Sequence, residues 1–220
     1  MAEKLKPSIS GHRSATLLTQ EQLVFENSWL RTQLLQAKTL IADHQQSFAR
    51  LQQQSQLDFL TQMPTRLLLA DRAVQAFRQA DRQHTEVLVI FLDVDHFKKI
   101  NDHFGHSTGD QVLVQVAQRL QQCLRGSDTV CRYGGDEFVL LLPLTYKSCD
   151  VAAVVSKLVN VTELPMTVGG QIIEAEVSIG VAIYPKHGAD LATLVAKADQ
   201  AMYEAKASGG HHYRISHAGA

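Results

Sequence analysis

Gly134 and Gly135 stand between two short apolar patterns, Thr129 to Tyr133 and Glu137 to Leu142, within the run Arg132-Tyr133-Gly134-Gly135-Asp136-Glu137-Phe138. A glycine pair between strand patterns signals a tight hairpin, because both central positions can take positive φ. An antiparallel hairpin in mid-chain excludes a sheet built only from parallel crossovers. Asp136 and Glu137 follow directly behind the glycines. Carboxylates at a hairpin tip are poor packing material and suit metal or phosphate chemistry.

The surrounding pattern supplies the rest of a fold. Val87 to Leu92 is a run of six apolar residues rich in β-branched types. It reads as a central strand buried on both faces, and its C-terminal end delivers Asp93. A short helical segment follows through Phe97 and Ile100, then a glycine-containing loop from Phe104 to Asp110. A helix from Gln111 to Leu124 carries Val112, Leu113, Val116, Ala117 and Leu120 on one stripe. Pro64 can open a helix at its first turn, running from Thr65 to Gln79. Further helices are expected over Val151 to Val159 and Ala192 to Ala207, with strand over Glu174 to Tyr184 and a short strand near Tyr213. The sum is β-α-β-β-α-β with added pieces. It predicts an α/β (α+β) fold whose central, largely antiparallel sheet is flanked by helices.

Three segments divide the chain. Residues 1–16 mix Pro7, Gly11, Ser and Lys without period and read as a loose tail. Residues 17–57 read as one long helix, since Thr19 to Leu57 contains neither Pro nor Gly. Leu30, Leu34, Ala37, Ile41, His44, Phe48, Leu51 and Ser55 step by alternating four and three, the spacing of a seam facing a partner helix. His44 and Ser55 interrupt the seam. A parallel coiled coil pairing two copies of the following domain is favoured over a helix folded back on that domain. Residues 58–220 hold the globular domain.

With 45% apolar and 20% charged residues and a formal charge of −1, the chain can bury one good core, and no Lys/Arg block exceeds two or three residues. That argues against a nucleic acid polymer as partner. No stretch reaches the roughly 18 apolar residues of a membrane span, and the N-terminus lacks a signal-peptide pattern, so the expectation is a cytoplasmic chain. Cys123, Cys131 and Cys149 share no Cys-x-x-Cys spacing and read as ordinary apolar thiols.

The chemistry-bearing residues group around the strand ends. If the two strands are neighbours, Asp93 and Asp136 converge on one point beside the Val94 carbonyl. Oxygen donors without Cys or His suit a hard cation such as Mg²⁺, with Mn²⁺ as a substitute, whose other positions are filled by water and phosphate. The bland reading is four solvated acids, Asp93, Asp95, Asp136 and Glu137. After Asp95, the N–H groups of His96, Phe97 and Lys98 enter a helical turn and can hold terminal phosphates, with Lys98 adding charge. Structurally, Phe97 also reads as core and Lys98 as surface. Asn101 and Asp110 offer donors and acceptors to a purine edge, though both types also cap helices and turns.

Taken together, the motifs resemble the GGDEF family of diguanylate cyclases. The matching residues are Phe91-Leu92-Asp93-Val94-Asp95-His96-Phe97-Lys98-Lys99-Ile100-Asn101-Asp102, Gly105-His106, Gly109-Asp110 and Gly134 to Phe138. Asp58-x-Leu60-Thr61 with Arg66, Ser178-Ile179-Gly180-Val181-Ala182, and Ala198-Asp199 with Ala201-Met202-Tyr203-x-Ala205-Lys206 extend the match. The resemblance covers residues 58–214 and implies a nucleotide-cyclase-like, ferredoxin-type core. It implies condensation of two GTP molecules to cyclic di-GMP with release of two pyrophosphates, between two facing domains of a homodimer. Carried over by position, Asp93, the Val94 carbonyl and Asp136 bind Mg²⁺. Glu137 lies near the ribose 3′-hydroxyl or on the metal. The N–H groups of His96 and Phe97 meet the β and γ phosphates, Lys98 and Lys206 supply charge, and Asn101 and Asp110 read guanine. Arg125-Gly126-Ser127-Asp128 matches the Arg-x-x-Asp motif for inhibition by cyclic di-GMP. Its alternative reading is a local ion pair closing a turn.

Several positions depart from the family pattern. Gln62 replaces a glycine, Met63 a leucine and Thr65 an asparagine in the first loop, changes expected to alter packing. After Lys206, Gly210 stands where an arginine usually touches terminal phosphates. Losing that guanidinium weakens nucleotide binding by about 1 to 3 kcal/mol unless His211, His212 or Arg214 replaces it. This keeps a second reading open: a regulatory module that binds GTP or cyclic di-GMP and barely turns over. A purely structural dimerisation protein leaves the polar motif spacing unexplained. The pattern names no input signal; an upstream sensor and a partner protein docked on the helix are both compatible with it.

Overall fold

The computed structural model describes residues 20–54, 56–145, 150–207 and 213–216, and the chain divides into two compact units, Met1–Leu51 and Gln52–Ala220. The tail at 1–16 and Cys149 lie outside the described residues. Helix α1 (Gln20–Gln54) is continuous over 35 residues. The seam residues Leu30, Leu34, Ala37, Ile41 and His44 are all exposed along it. The side chains of Phe48, Leu51 and Ser55 lie outside the described set.

The second unit runs α2 (Arg66–Gln83), β1 (Val87–Val94), α3 (Phe97–Phe104), α4 (His106–Cys123), β2 (Thr129–Gly134), β3 (Glu137–Pro143), α5 (Val151–Thr162), β4 (Met166–Val168), β5 (Gln171–Ile173), β6 (Val177–Tyr184), α6 (Leu191–Ala207) and β7 (Tyr213–Ile215). The five-stranded sheet has the order β2-β3-β1-β6-β7. β1 pairs antiparallel with β3 and with β6, while β7 joins β6 in parallel. Strands β1, β2, β3 and β6 thus form the ferredoxin-type core expected from the pattern.

All eight residues of β1 are buried, because the strand is central and both sheet faces are covered. Leu88, Ile90, Leu92 and Val94 pack with Val112, Leu113, Val116, Val155 and Leu158 of α4 and α5. Val87, Val89 and Phe91 pack with Leu69, Ala73, Phe77, Leu194 and Ala198 of α2 and α6. Each fully buried aliphatic side chain contributes about 1.5 to 3 kcal/mol. The continuous apolar run of β1 therefore reflects two cores that share one strand.

Four local expectations are corrected. The helix after Pro64 starts at Arg66, with Thr65 as its N-cap making no side-chain capping bond. Pro64 instead bridges to Leu57. The loop expected from Phe104 to Asp110 shrinks to Gly105 (φ 85°), since α4 begins at His106. Gly109 lies inside α4 because a Cβ there would overlap the Asn101 side chain. In the central hairpin neither Gly134 nor Gly135 takes positive φ; Gly134 pairs with Glu137, leaving Gly135 and Asp136 as the turn. A Cβ at 134 would meet Glu137 Oε2 at 2.7 Å and Arg66 Nη2 at 3.3 Å, so a larger residue there would displace the ends of those two flexible side chains. The strand expected from Glu174 begins at Val177, and a small hairpin, β4–β5, precedes it. Its turn is Gly169-Gly170, where both glycines do take positive φ (57° and 81°).

Other sequence features have plain structural explanations. Gln62 is left-handed (φ 58°), a conformation that suits glycine better, and its side chain donates to the Phe59 carbonyl at 2.9 Å. Met63 is buried in the core. Burial pushes the Cys131 thiol up to about 12, so it is an inert core group. The Arg119 guanidinium donates to the carbonyls of Thr162, Leu164 and Pro165 and so satisfies the end of α5.

The closest backbone approach is between β6 and α6. A Cβ on Gly180 would collide with the Ala198 carbonyl oxygen and the Met202 amide nitrogen. Both obstacles are backbone, so a larger residue must push the helix off the sheet. Gly180→Ala is expected to destabilise the globular unit by about 2 to 4 kcal/mol in urea denaturation. A change below about 0.5 kcal/mol would show that the helix is not held this tightly.

Candidate active site

The acids converge as their strands do. In the register, Asp93 at the end of β1 faces Glu137 on one side and Ser178 on the other. The Val94 N–H donates to the Asp136 carbonyl at 3.3 Å, fastening the hairpin turn to the end of β1. Asp93 is buried, while Asp95, Asp136 and Glu137 are half-buried at the same end of the sheet.

Lys206, in the last turn of α6, completes this cluster. Its Nζ lies 2.5 Å from Asp93 Oδ1 and 3.5 Å from Asp95 Oδ1. The Gly180 contact explains the reach: Ala198 and Met202 sit against Gly180, and one further turn carries Lys206 to the strand end. Ser178 Oγ donates to both Asp95 oxygens, at 3.0 and 2.8 Å. Asp93 is pushed up to about 6, chiefly by burial; Lys206 opposes the shift, and Asp136 and Asp95 reinforce it. Burial works against the Lys206 ammonium as well, but Asp93 and Asp95 outweigh it and hold its pKa above the ordinary value. The site therefore concentrates negative charge that one lysine does not fully offset.

The residues fit a hard cation shared with phosphate. Among the described residues no group of three or more His, Cys, Asp or Glu side chains could cage a metal by itself. Mg²⁺ commonly takes only one or two carboxylates and completes its shell with water and phosphate oxygens. Asp93, the Val94 carbonyl and Asp136 suit that pattern, and the ammonium already on Asp93 shows that the pocket draws a cation.

The phosphate and base candidates lie on the neighbouring helices. His96 is left-handed (φ 56°) and serves as N-cap of α3, so the chain turns sharply from β1 into the first turn containing Phe97 and Lys98. His96 and Lys98 are exposed and Phe97 is half-buried. Asn101 lies on α3 and Asp110 on α4, and the Asn101 side chain packs against Gly109, the residue before Asp110. His211, His212 and Gly210 lie outside the described residues. Arg214 Nη1 lies 3.8 Å from Glu204 Oε2 on α6.

The structure also reveals how the hairpin is held. Arg132 Nη1 donates to Asp58 Oδ1 at 3.0 Å, and its Nε and Nη2 donate to the Gly135 carbonyl at 3.0 and 2.8 Å. Asp58 Oδ1 also accepts from the Thr61 N–H and hydroxyl, at 2.8 and 2.7 Å. Burial pushes the Asp58 carboxyl up, but these Thr61 and Arg132 contacts outweigh it and hold it below the ordinary value. Arg66 stacks over the Tyr133 ring at 3.8 Å and donates to the Tyr133 carbonyl. Sequence reasoning assigned no role to this anchor. The Asp-x-x-Thr turn was its local signal, but its partner lies 74 residues away.

Arg125 and Asp128 precede β2, at the opposite end of that strand from Gly134. Asp128 Oδ2 accepts from the Arg125 N–H at 2.9 Å, and the Asp128 N–H donates to the Arg125 carbonyl at 3.0 Å. The turn is thus closed through the Arg125 backbone. Two clefts border it, of about 310 Å³ toward α5 and about 240 Å³ toward α2, where Arg72 also lies.

Comparisons with known proteins agree with this architecture. A family profile described as "Diguanylate cyclase, GGDEF domain" matches residues 55–212. The bifunctional diguanylate cyclase/cyclic di-GMP phosphodiesterase MucR of Pseudomonas aeruginosa is 42% identical over 156 residues, covering 71% of this chain and 23% of that protein. A truncated TpbB (YfiN) from the same organism, comprising only the GGDEF domain, superimposes with a TM-score of 0.70 at 37% identity, covering 73% of this chain and 94% of that one. The coiled coil and GGDEF domain of DgcB from Caulobacter crescentus, in complex with c-di-GMP, gives a TM-score of 0.63 at 25% identity and covers 85% of this chain and 98% of that one. The chain spans less than half the length of the curated relatives it matches, 23% of MucR and 37% of TpbB among them. Among the described residues no helix is long and apolar enough to cross a membrane. With a profile matching most of its length and a GGDEF-domain structure superimposing on its sheet and helices, the chain belongs to the GGDEF-domain diguanylate cyclase family.

Proposed function

We propose that this chain condenses two GTP molecules to cyclic di-GMP, releasing two pyrophosphates, between two facing copies. The observation that carries the reading is the meeting of Asp93 and Val94 with Asp136 and Glu137 under the Lys206 ammonium. Asp93, the Val94 carbonyl and Asp136 hold Mg²⁺ or Mn²⁺. When bound, the metal polarises the α-phosphate and lowers the pKa of the attacking hydroxyl. Glu137 sits beside the ribose 3′-hydroxyl and takes its proton or joins the metal ligands. The N–H groups of His96 and Phe97 and the charges of Lys98 and Lys206 hold the phosphates and offset charge building on pyrophosphate. Asn101 and Asp110 read the guanine edge.

One domain holds one GTP, and the attacking 3′-oxygen comes from the GTP on the partner. A new P–O bond forms as the bond to pyrophosphate breaks, once at each α-phosphate. Positioning by dimerisation is therefore a large part of the rate. The exposed apolar seam of α1 supports a coiled coil that pairs two copies, and the DgcB structure, which contains a coiled coil, supports the same use. Residues 17–57 then act as the dimerising helix and 58–220 as the catalytic domain. Arg125 and Asp128 bind cyclic di-GMP as an inhibitor, an assignment supported by the clefts beside them. The input comes from an upstream sensor or a protein docked on α1.

A second reading rests on Gly210. With no arginine there, and with Arg214 beside Glu204, a phosphate contact is lost and the domain serves as a GTP or cyclic di-GMP receptor.

Purified protein incubated with Mg²⁺ and GTP is expected to yield cyclic di-GMP and pyrophosphate, and no cyclic dinucleotide with ATP. Bound but unreacted GTP would instead support the receptor. Arg125→Ala should keep the initial rate and lose product inhibition, so an unchanged inhibition curve refutes the inhibitory assignment. At low enzyme concentration, residues 58–220 alone should turn over roughly tenfold or more slowly per domain than the full chain. Equal rates at every concentration would sink the pairing role of α1.

A further inference from the structure

Lys206 occupies the position on Asp93 that a metal ligand must leave open. Its Nζ is 2.5 Å from Asp93 Oδ1, and the same ammonium is 3.5 Å from Asp95 Oδ1. Asp95 is held by two hydrogen bonds from Ser178, whose side chain is fully buried between β1 and its neighbours. The lysine also stands at the C-terminal end of α6, where the helix dipole favours a cation. Three features thus keep the ammonium at the acids: a direct ion pair, a fixed second carboxylate and a helix end.

An ammonium on a carboxylate oxygen repels a divalent cation approaching the same oxygen and so weakens the metal's hold there. With fewer than three side-chain ligands gathered at any point among the described residues, the protein has no spare donors to outcompete its own lysine. Phosphate oxygens change that balance by offering the ammonium a new partner and the metal additional ligands. The Lys206 side chain is about one-third exposed (32%), so its head can swing outward while Asp95 keeps it near.

We propose that Lys206 is a built-in stand-in cation: it blocks Asp93 to free divalent ions and yields the position only when nucleotide phosphates arrive with the metal. This rests on the placement of metal and GTP at Asp93 given above. Its consequence is joint loading, in which metal and nucleotide enter together and neither the acids nor the metal wait alone. Lys206 then has two duties, neutralising the acids before substrate arrives and the phosphates afterwards.

The test is Mn²⁺ binding without nucleotide, followed by electron paramagnetic resonance of free Mn²⁺ on the full chain. Lys206→Met is expected to bind Mn²⁺ on the order of tenfold or more tighter than wild type, and Lys206→Met with Asp93→Asn should lose that gain. Lys206→Gln, which keeps a polar head without charge, should behave like Lys206→Met, and thermal unfolding identifies which single variant is folded. Mn²⁺ affinity unchanged or weakened in a folded single variant overturns the proposal, as does a gain that survives Asp93→Asn. The readout requires no turnover, so it separates from the cyclase assay on the unaltered chain: product from the unaltered chain with unchanged Mn²⁺ binding in Lys206→Met defeats this inference alone, whereas tightened binding in Lys206→Met with no product from the unaltered chain defeats the cyclase reading and leaves the stand-in role in place.

Discussion

The contact of helix backbone on strand backbone at Gly180 sets the geometry of the acidic end of this domain. Without a Cβ at that position, α6 lies directly on β6, and its last turn reaches the end of the sheet. Only then can Lys206 touch Asp93. The same closeness buries Leu194, Ala198 and Met202 against Val89, Phe91 and Ala182, so the packing that stabilises the second core also aims the lysine. Stability and chemistry share one constraint, and a residue with no side chain supplies it.

The second constraint fixes the signature hairpin. A two-residue turn carrying acids at a sheet end is a poorly packed structure, and here its position does not depend on its own turn geometry. The Arg132 guanidinium ties the Gly135 carbonyl to Asp58, and Asp58 is itself fastened by Thr61. The bonds at Asp58 are half-buried and those to the Gly135 carbonyl are exposed, and a charge-assisted bond is worth more than a neutral one. They fix the turn that carries Asp136 and leads into Glu137. The turn at Asp58 to Pro64 is thus as much a part of the site's support as the strands are.

Electrostatically the site is underneutralised by design. Asp93, Asp95, Asp136 and Glu137 gather at one sheet end, Lys206 pairs with Asp93 and Asp95, and burial raises the cost of keeping Asp93 charged. A cluster of this kind gains most when cations and phosphates arrive together, since each offsets the other's charge in a region of reduced dielectric.

The strand with Asp93 at its mouth, the hairpin, the ferredoxin-type order of elements and the family were legible in the linear pattern, because each is written in local periodicity or in motif spacing. Helix α1 was legible for the same reason: a long run without Pro or Gly has no local competitor to helix. Glycine was the residue type most often misjudged. Gly109 read as loop and is a close-packing residue in a helix, Gly134 read as a left-handed turn position and provides room for Glu137, while Gly169 and Gly170 make the positive-φ turn that went unassigned. A glycine states only that a side chain is absent. Whether the absence serves φ, a neighbouring side chain or a neighbouring backbone is decided by what lies across the fold. The sequence by itself determined which acids, amides and cations the domain possesses and which strand ends carry them. Tertiary structure alone decided that Lys206 lies on Asp93, that Arg132 joins Gly135 to Asp58, and that Asn101 meets Gly109, because those pairs are made by packing between elements rather than by spacing along the chain.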